Sequence, residues 1–218
     1  MSGLTSALRI LLYIILGIVG LALVLHLIVR VVRAFYKFPM PQSMANLIDN
    51  PLRRRVQPPN ELAVRHGLAE GMTVLDVGPG NGTYTLAAAR RVGESGKVVA
   101  VDIEPRMVER VERRIAAENV TNIEARVADV YDLPFDDGTF DAITLITVIG
   151  EIPQPERALR EFQRVLAPTG TLAFSELLPD PDYPRPSTLM RLAAAAGFRL
   201  QNRLGNLLAY TLVFEKEH

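Results

Sequence analysis

Three glycines fall within five residues in "VLDVGPGNGTYT", residues 74–85, directly behind an apolar run. Glycine loses more backbone entropy on folding than any other residue, so such a cluster marks backbone that must pass close to something. A short apolar strand that breaks into this loop and then enters a helix is one unit of a layered α/β sheet. The chain beyond it repeats the alternation.

Strands are expected at 73–77, 98–102, 123–127, 140–147 and 171–176, with helices at 84–92, 105–118 and 156–166 between them. In "RMVERVERRIAAE" the residues Met107, Val111 and Ile115 share one helical face, as packing on a sheet requires. Strands that are apolar almost throughout imply a parallel sheet covered on both faces. The end of the chain differs: "GFRLQNRLGN" and "LLAYTLVFEKE" read as two strands joined at Gly205-Asn206, an antiparallel hairpin. The expected fold is therefore α/β, a Rossmann-like, doubly wound, mostly parallel seven-stranded sheet ending in an antiparallel hairpin, preceded by one transmembrane helix.

That helix is read from "ILLYIILGIVGLALVLHLIV", residues 10–29, which carry no formal charge. At about 1.5 Å per residue, 20 residues span roughly 30 Å, the hydrocarbon thickness of a bilayer. A signal peptide has a shorter apolar core and a small-residue cleavage site, neither of which is evident here. Arg30, Arg33 and Lys37 outnumber Arg9 at the flanks, so the body of the chain is expected on the cytoplasmic side, with Phe35, Tyr36 and Phe38 at the interface. Three regions follow: an anchor at 1–38, a basic linker with a short helix at 39–66, and the α/β domain at 67–218.

Composition narrows the chemistry. The chain of 218 residues has no cysteine and three dispersed histidines, which excludes thiolate chemistry and argues against a histidine-built metal site. Its net charge of zero hides a division, +6 over residues 1–59 and −6 over the remainder. A basic arm on an acidic body is not a nucleic-acid-binding domain, but it suits an anionic surface met by the N-terminal part. The run Arg53, Arg54, Arg55 is a candidate for lipid phosphate and equally a solvated charge run.

Ligands of such sheets sit beyond the carboxyl ends of the strands. Gly78, Pro79, Gly80 and Gly82 form the loop after the first strand, Asp102 ends the second, and Asp129 follows the third. A carboxylate at Asp102 is placed to accept both hydrogen bonds of a ribose diol. A dinucleotide fingerprint would read G-x-G-x-x-G, whereas here the third glycine comes one residue early and Asp76 precedes the loop.

The pattern acid-x-G-x-G-x-G resembles motif I of the class I S-adenosylmethionine-dependent methyltransferases. The resemblance runs from about residue 71 to 214 through "VVAVDIEPRMVERVERR", "VADVYDLPFDDGTFDAITL" and "ALREFQRVLAPTGTLAFSE", with Ala167 and Thr169 departing slightly from the usual pattern. It implies that Gly78, Gly80 and Gly82 lie against the methionine and ribose of S-adenosyl-L-methionine, and that Asp76 helps hold its amino group. It further implies Asp102 on the ribose with Ile103 against adenine, and Asp129 with Val130 at the adenine amine. Family members place acceptor-facing residues after the fourth strand, which makes Thr147 and Glu151 the catalytic candidates. Tyr84, Tyr131, Glu176 and the "LLPDPDYPRPS" segment are weaker candidates, equally readable as packing or connector.

The sequence resembles the group containing quinone C-methyltransferases and phospholipid N-methyltransferases, with no motif separating them. With an anchor, the expected acceptor is a lipid or other lipophilic molecule at the bilayer. A tethered enzyme for a soluble metabolite or membrane protein, and a cofactor-binding module without turnover, are the other readings.

Overall fold

A computed structural model describes residues 2–37, 49–178 and 180–217, without side-chain detail for 2–5 and 34. The expected interfacial Phe38 and much of the expected linker lie outside the described residues. The chain divides into two compact units, Met1–Lys37 and Phe38–His218.

The first unit is one helix, α1 (Ser2–Phe35), of 34 residues. Within it, Ser6–Arg33 is long and apolar enough to cross a membrane, a test of length and composition that a signal sequence also passes. Its leucines, isoleucines and valines are exposed on every side, among them Leu11, Ile15, Ile18 and Leu25.

The second unit is a layered α/β domain. It opens with α2 (Pro51–Val56) and α3 (Pro59–Arg65). Alternation then sets in with β1 (Thr73–Val77), α4 (Thr83–Val92), β2 (Lys97–Asp102), α5 (Pro105–Glu118), β3 (Ile123–Val127) and β4 (Phe140–Ile146). A 3₁₀ turn (Ile149–Glu151) leads to α6 (Pro155–Val165), β5 (Leu166–Leu177), α7 (Pro186–Ala195), β6 (Phe198–Gly205) and β7 (Ala209–Lys216). The sheet order is β3-β2-β1-β4-β5-β7-β6, with β7 inserted antiparallel between β5 and β6. The expected sheet and its terminal hairpin are both present.

Strand order reverses between β1 and β4, which pair in parallel from Val74↔Ala142 to Val77↔Leu145. Both strands run into the core on each face. Phe140, Ile143, Leu145, Phe162, Phe174 and Phe214 fill one side, and Val74, Ala88, Val92, Val98 and Ala142 the other. Each buried Val, Leu, Ile or Phe side chain among them contributes about 1.5–3 kcal/mol on burial, enough to fix the strand ends that carry the site.

Two elements differ from expectation. The segment read as linker contains α2, whose start is capped by Asn50: its Oδ1 accepts from the amides of Leu52 and Arg53, both at 3.0 Å. The segment read as a connector behind Glu176 continues into α7, which begins on Pro186 and packs Leu189 and Ala193 into the core. The helix α3 is tied to the sheet by a buried polar chain in which His66 Nε2 lies 2.7 Å from Ser175 Oγ, itself 2.8 Å from Thr211 Oγ1. Burial holds His66 neutral, its pKa pushed down to about 3.

Candidate functional site

A cavity of about 330 Å³ opens at the carboxyl ends of β1, β2 and β4, on the reversal point of the sheet. Its walls hold Asp76, Gly78, Pro79 and Gly80 from β1 and the glycine loop, Asp102 and Ile103 from β2, and Asp129 and Val130 from beyond β3. Thr147 and Glu151 line it from beyond β4, and Tyr84 and Tyr131 border it as well. Gly82 stands outside the lining, as do the weaker candidates Glu176, buried in β5, and the described residues of the segment behind it. Gly82 caps α4 at φ +81°, with its α-carbon facing Val111 and Arg114 of α5.

The glycines do different work. Gly78 sits at φ +66°, its amide bonded to Val101 O at 2.9 Å; a β-carbon there would come within 2.6 Å of Val148. Gly80, at φ +58°, has nothing within 4 Å of where a β-carbon would stand. That open space is part of the cavity, so Gly80 leaves room for a ligand while Gly78 leaves room for the protein.

The carboxylates are held in place by their own strand ends. Asp76 is buried, accepting from Thr85 Oγ1 at 2.6 Å and Thr144 Oγ1 at 3.3 Å. Loss of water raises its pKa to about 6 despite those hydrogen bonds. Asp102 Oδ1 accepts from the Glu104 amide at 2.9 Å, and burial raises its pKa too. Asp129 Oδ1 accepts from the Tyr131 amide at 2.9 Å.

Thr147 occupies the left-handed region at φ +56°. For a β-branched residue this conformation costs about 1–2 kcal/mol. Its amide bonds to Ser175 O at 2.8 Å while its hydroxyl donates to Ile146 O at 2.7 Å. The kink turns the chain out of β4 into the 3₁₀ turn that presents Glu151.

Sequence reasoning missed the contribution of α2. Arg53 lines the cavity, its Nη2 donating to Thr147 Oγ1 at 2.5 Å and its guanidinium lying 5.5 Å from the Tyr84 ring centroid. Arg54 pairs with Asp49 through two bonds of 2.8 and 2.7 Å. Asp49 in turn accepts from Thr83 Oγ1 at 2.5 Å, at the first residue of α4. Burial opposes ionisation of Asp49, but Arg54, Thr83 and Asn81 outweigh it and hold the pKa at about 2. The N-terminus of α4, where a dinucleotide would rest its pyrophosphate, is therefore already supplied with an anion. The local signal for α2 was the Asn50-Pro51 start.

These residues fit S-adenosylmethionine. The acids at Asp76 and Asp102 match an ammonium and a diol, Gly80 leaves backbone clearance, and among the described residues no His/Asp/Glu group is arranged to hold a metal.

Comparison with known proteins agrees. A methyltransferase domain family matches residues 68–197. The ubiquinone/menaquinone biosynthesis C-methyltransferase UbiE of Escherichia fergusonii is 36% identical over 144 residues, 66% of this chain and 56% of that protein. UbiE of Salmonella newport is 35% identical over the same extent, so the chain spans little more than half the length of these relatives. A SAM dependent methyltransferase from Aquifex aeolicus superposes with a TM-score of 0.76 at 26% identity, over 81% of this chain and 98% of that one. The cyclase SpnF shares the fold at TM-score 0.64 and 18% identity, covering 72% of this chain and 79% of its own. Because the matched region contains the glycine loop and the strand ends that build the cavity, the chain belongs to the methyltransferase domain family, of the class I S-adenosylmethionine-dependent type.

Proposed function

We propose that this chain transfers the methyl group of S-adenosylmethionine to a lipophilic acceptor at a membrane, with α1 as its anchor. The observation that carries the reading is the cavity at the β1/β4 reversal, where cofactor-matching acids meet apolar walls from Met107, Val130, Ile146, Val148 and Ile152. An isoprenoid quinol ring is the favoured acceptor, since the UbiE relatives are named for ubiquinone and menaquinone biosynthesis. A phospholipid amine is the competing acceptor. The sign of the flanking charges supports a catalytic domain on the cytoplasmic side.

The cofactor, when bound, supplies an electrophilic methyl group on a sulfonium. The protein's task is alignment and exclusion of water, which can lower such a barrier by several kcal/mol. Asp102 holds the ribose and Asp129 with Val130 the adenine amine, while Asp76 pairs with the ammonium and Ile103 covers the base. Gly78, Pro79 and Gly80 give the backbone its clearance, and Gly82 starts the helix behind them. Glu151, on the 3₁₀ turn at the cavity wall, is the candidate to accept the proton that an acceptor hydroxyl or ring carbon gives up. Thr147 acts as a positioning residue through Arg53, since its hydroxyl hydrogen is directed to Ile146 O.

The test is to incorporate the full-length protein into vesicles containing both phosphatidylethanolamine and a reduced prenylated naphthoquinone, with methyl-labelled cofactor. Label in the quinone supports the reading; label only in phosphatidylethanolamine replaces the quinol by the amine lipid. Label in neither contradicts both acceptors. Release of the protein by alkaline carbonate would contradict the anchor.

A further inference from the structure

The charge lining the cavity is lopsided. Among the described residues six carboxylates line it, Asp49, Asp76, Asp102, Glu104, Asp129 and Glu151, against one cation, Arg53. A ligand with an ammonium, a sulfonium and a diol accounts for the surplus of acid. It does not account for the arginine.

Arg53 is also incompletely satisfied. Its guanidinium donates to Thr147 Oγ1 and lies over the ring of Tyr84, whose hydroxyl also feels its charge; among the described residues no ion pair joins it to a carboxylate. Its Nε is buried and has no hydrogen-bond partner, and neither has the buried Gln57 Oε1 on the same short segment. An unpaired buried donor on a charged group is unfavourable until an acceptor meets it. Burial raises the pKa of Glu176, the buried acid that feels the guanidinium's charge, well above the ordinary value, which makes it a poor counter-ion for Arg53. Meanwhile Thr147 and Tyr84 hold the guanidinium in one orientation, so its planar fork is set out in advance for an acceptor group.

We propose that Arg53 is the oxyanion subsite of this cavity, receiving a carboxylate or phenolate oxygen of the bound molecules. The proposal rests on reading the cavity as the cofactor and acceptor site. Two sources offer that chemistry: the carboxylate at the amino-acid end of the cofactor, and an ionised hydroxyl on an aromatic acceptor. The second source would favour a phenol-type acceptor over an amine, whose cationic form the same guanidinium would repel.

The test reads equilibrium binding, so it does not depend on which acceptor is methylated, or on turnover at all. Full-length protein in detergent micelles is titrated calorimetrically with S-adenosylhomocysteine and with its decarboxylated analogue, which keeps the ammonium and lacks only the carboxylate. Protein saturated with S-adenosylhomocysteine is titrated with 2,4-dinitrophenolate and with its neutral counterpart 2,4-dinitroaniline. Arg53→Gln is expected to weaken the member of one pair that carries the carboxylate or phenolate about tenfold or more, the scale of one charge-assisted hydrogen bond, and its partner less than about twofold. A response in the first pair identifies the cofactor carboxylate, and a response in the second identifies the acceptor. Arg53→Lys, which retains the charge but not the fork, should recover part of the affinity and serves if the glutamine variant does not fold. Affinities for the carboxylate and phenolate members unchanged in both variants, or no preference for either of them in the unaltered protein, would overturn the proposal.

Discussion

Arg53 and Thr147, 94 positions apart in sequence, meet at 2.5 Å on the wall of the cavity. The contact joins α2 to the strained residue at the end of β4, so a helix outside the repeating β-α pattern becomes part of the site. Thr147→Val keeps the shape and the φ +56° backbone but removes the oxygen that Arg53 uses. A hydrogen bond to a charged group contributes about 1.5–3 kcal/mol. Denaturant unfolding should show a loss of that order, with kcat/KM for the acceptor reduced, while Thr147→Ser retains most of both. An equally active, equally stable valine variant would show that the contact has no functional weight.

Asp102 has one oxygen committed to the Glu104 amide, leaving the other toward the cavity. Asp102→Ala should lower affinity for S-adenosylhomocysteine by about 10- to 100-fold, corresponding to roughly 1.4–2.8 kcal/mol, and leave thermal unfolding nearly unchanged. Unaltered affinity in calorimetry would remove Asp102 from the ribose.

Cofactor binding is expected to depend on pH through Asp76, which the proposed function pairs with the cofactor's ammonium. The pKa of Asp76 is raised to about 6 by burial, so it is ionised above that value and neutral below it. Pairing with the cofactor's ammonium needs the ionised form. Affinity should therefore be flat above about pH 7 and fall as pH drops through 6, by at most about tenfold per unit. Stability moves the other way: burying this ionised carboxylate is unfavourable, so Asp76 itself disfavours the fold as pH rises from about 4 to 6. Asp76→Asn should flatten the binding profile; a profile unchanged in that variant would assign the titration elsewhere.

The two loop glycines separate structure from ligand. Gly78→Ala forces a β-carbon to within 2.6 Å of Val148 at a positive φ, and should destabilise the domain by about 2–4 kcal/mol. Gly80→Ala meets nothing and should cost only the left-handed strain, about 1–2 kcal/mol, yet its methyl group enters the cavity and should weaken S-adenosylhomocysteine binding the more. Paired unfolding and binding measurements decide this; equal binding losses after allowing for stability would contradict the division.

Legibility in the sequence followed the range of the interactions. The inner strands β1 and β2 were readable as apolar runs that stop at the site, at Val77 before the glycine loop and at Asp102 before Glu104, whereas the edge strands β3 and β6 carry charged residues. Thr147 and Glu151 were reachable because they follow β4 by position alone. Arg53 was not, since three adjacent arginines look like a solvated run. Only the fold divides them into a cavity residue, an ion-pair partner of Asp49, and the exposed Arg55. The burial of His66 and Glu176 was equally hidden: each is a polar residue whose burial comes from elements distant in sequence. The helix α7 was obscured by the four prolines that precede or begin it, Pro179, Pro181, Pro184 and Pro186, although Pro186 is its first residue.

The most direct measurement on this protein is of methyl transfer itself. Full-length protein and its Asp102→Ala variant are each incubated with methyl-labelled S-adenosylmethionine and a total membrane lipid extract, and the organic phase is counted. Label is expected in the organic phase with the unaltered protein, with a large drop in the variant. Retention of all label in the aqueous phase, by a protein that demonstrably binds the cofactor, would contradict the proposed function.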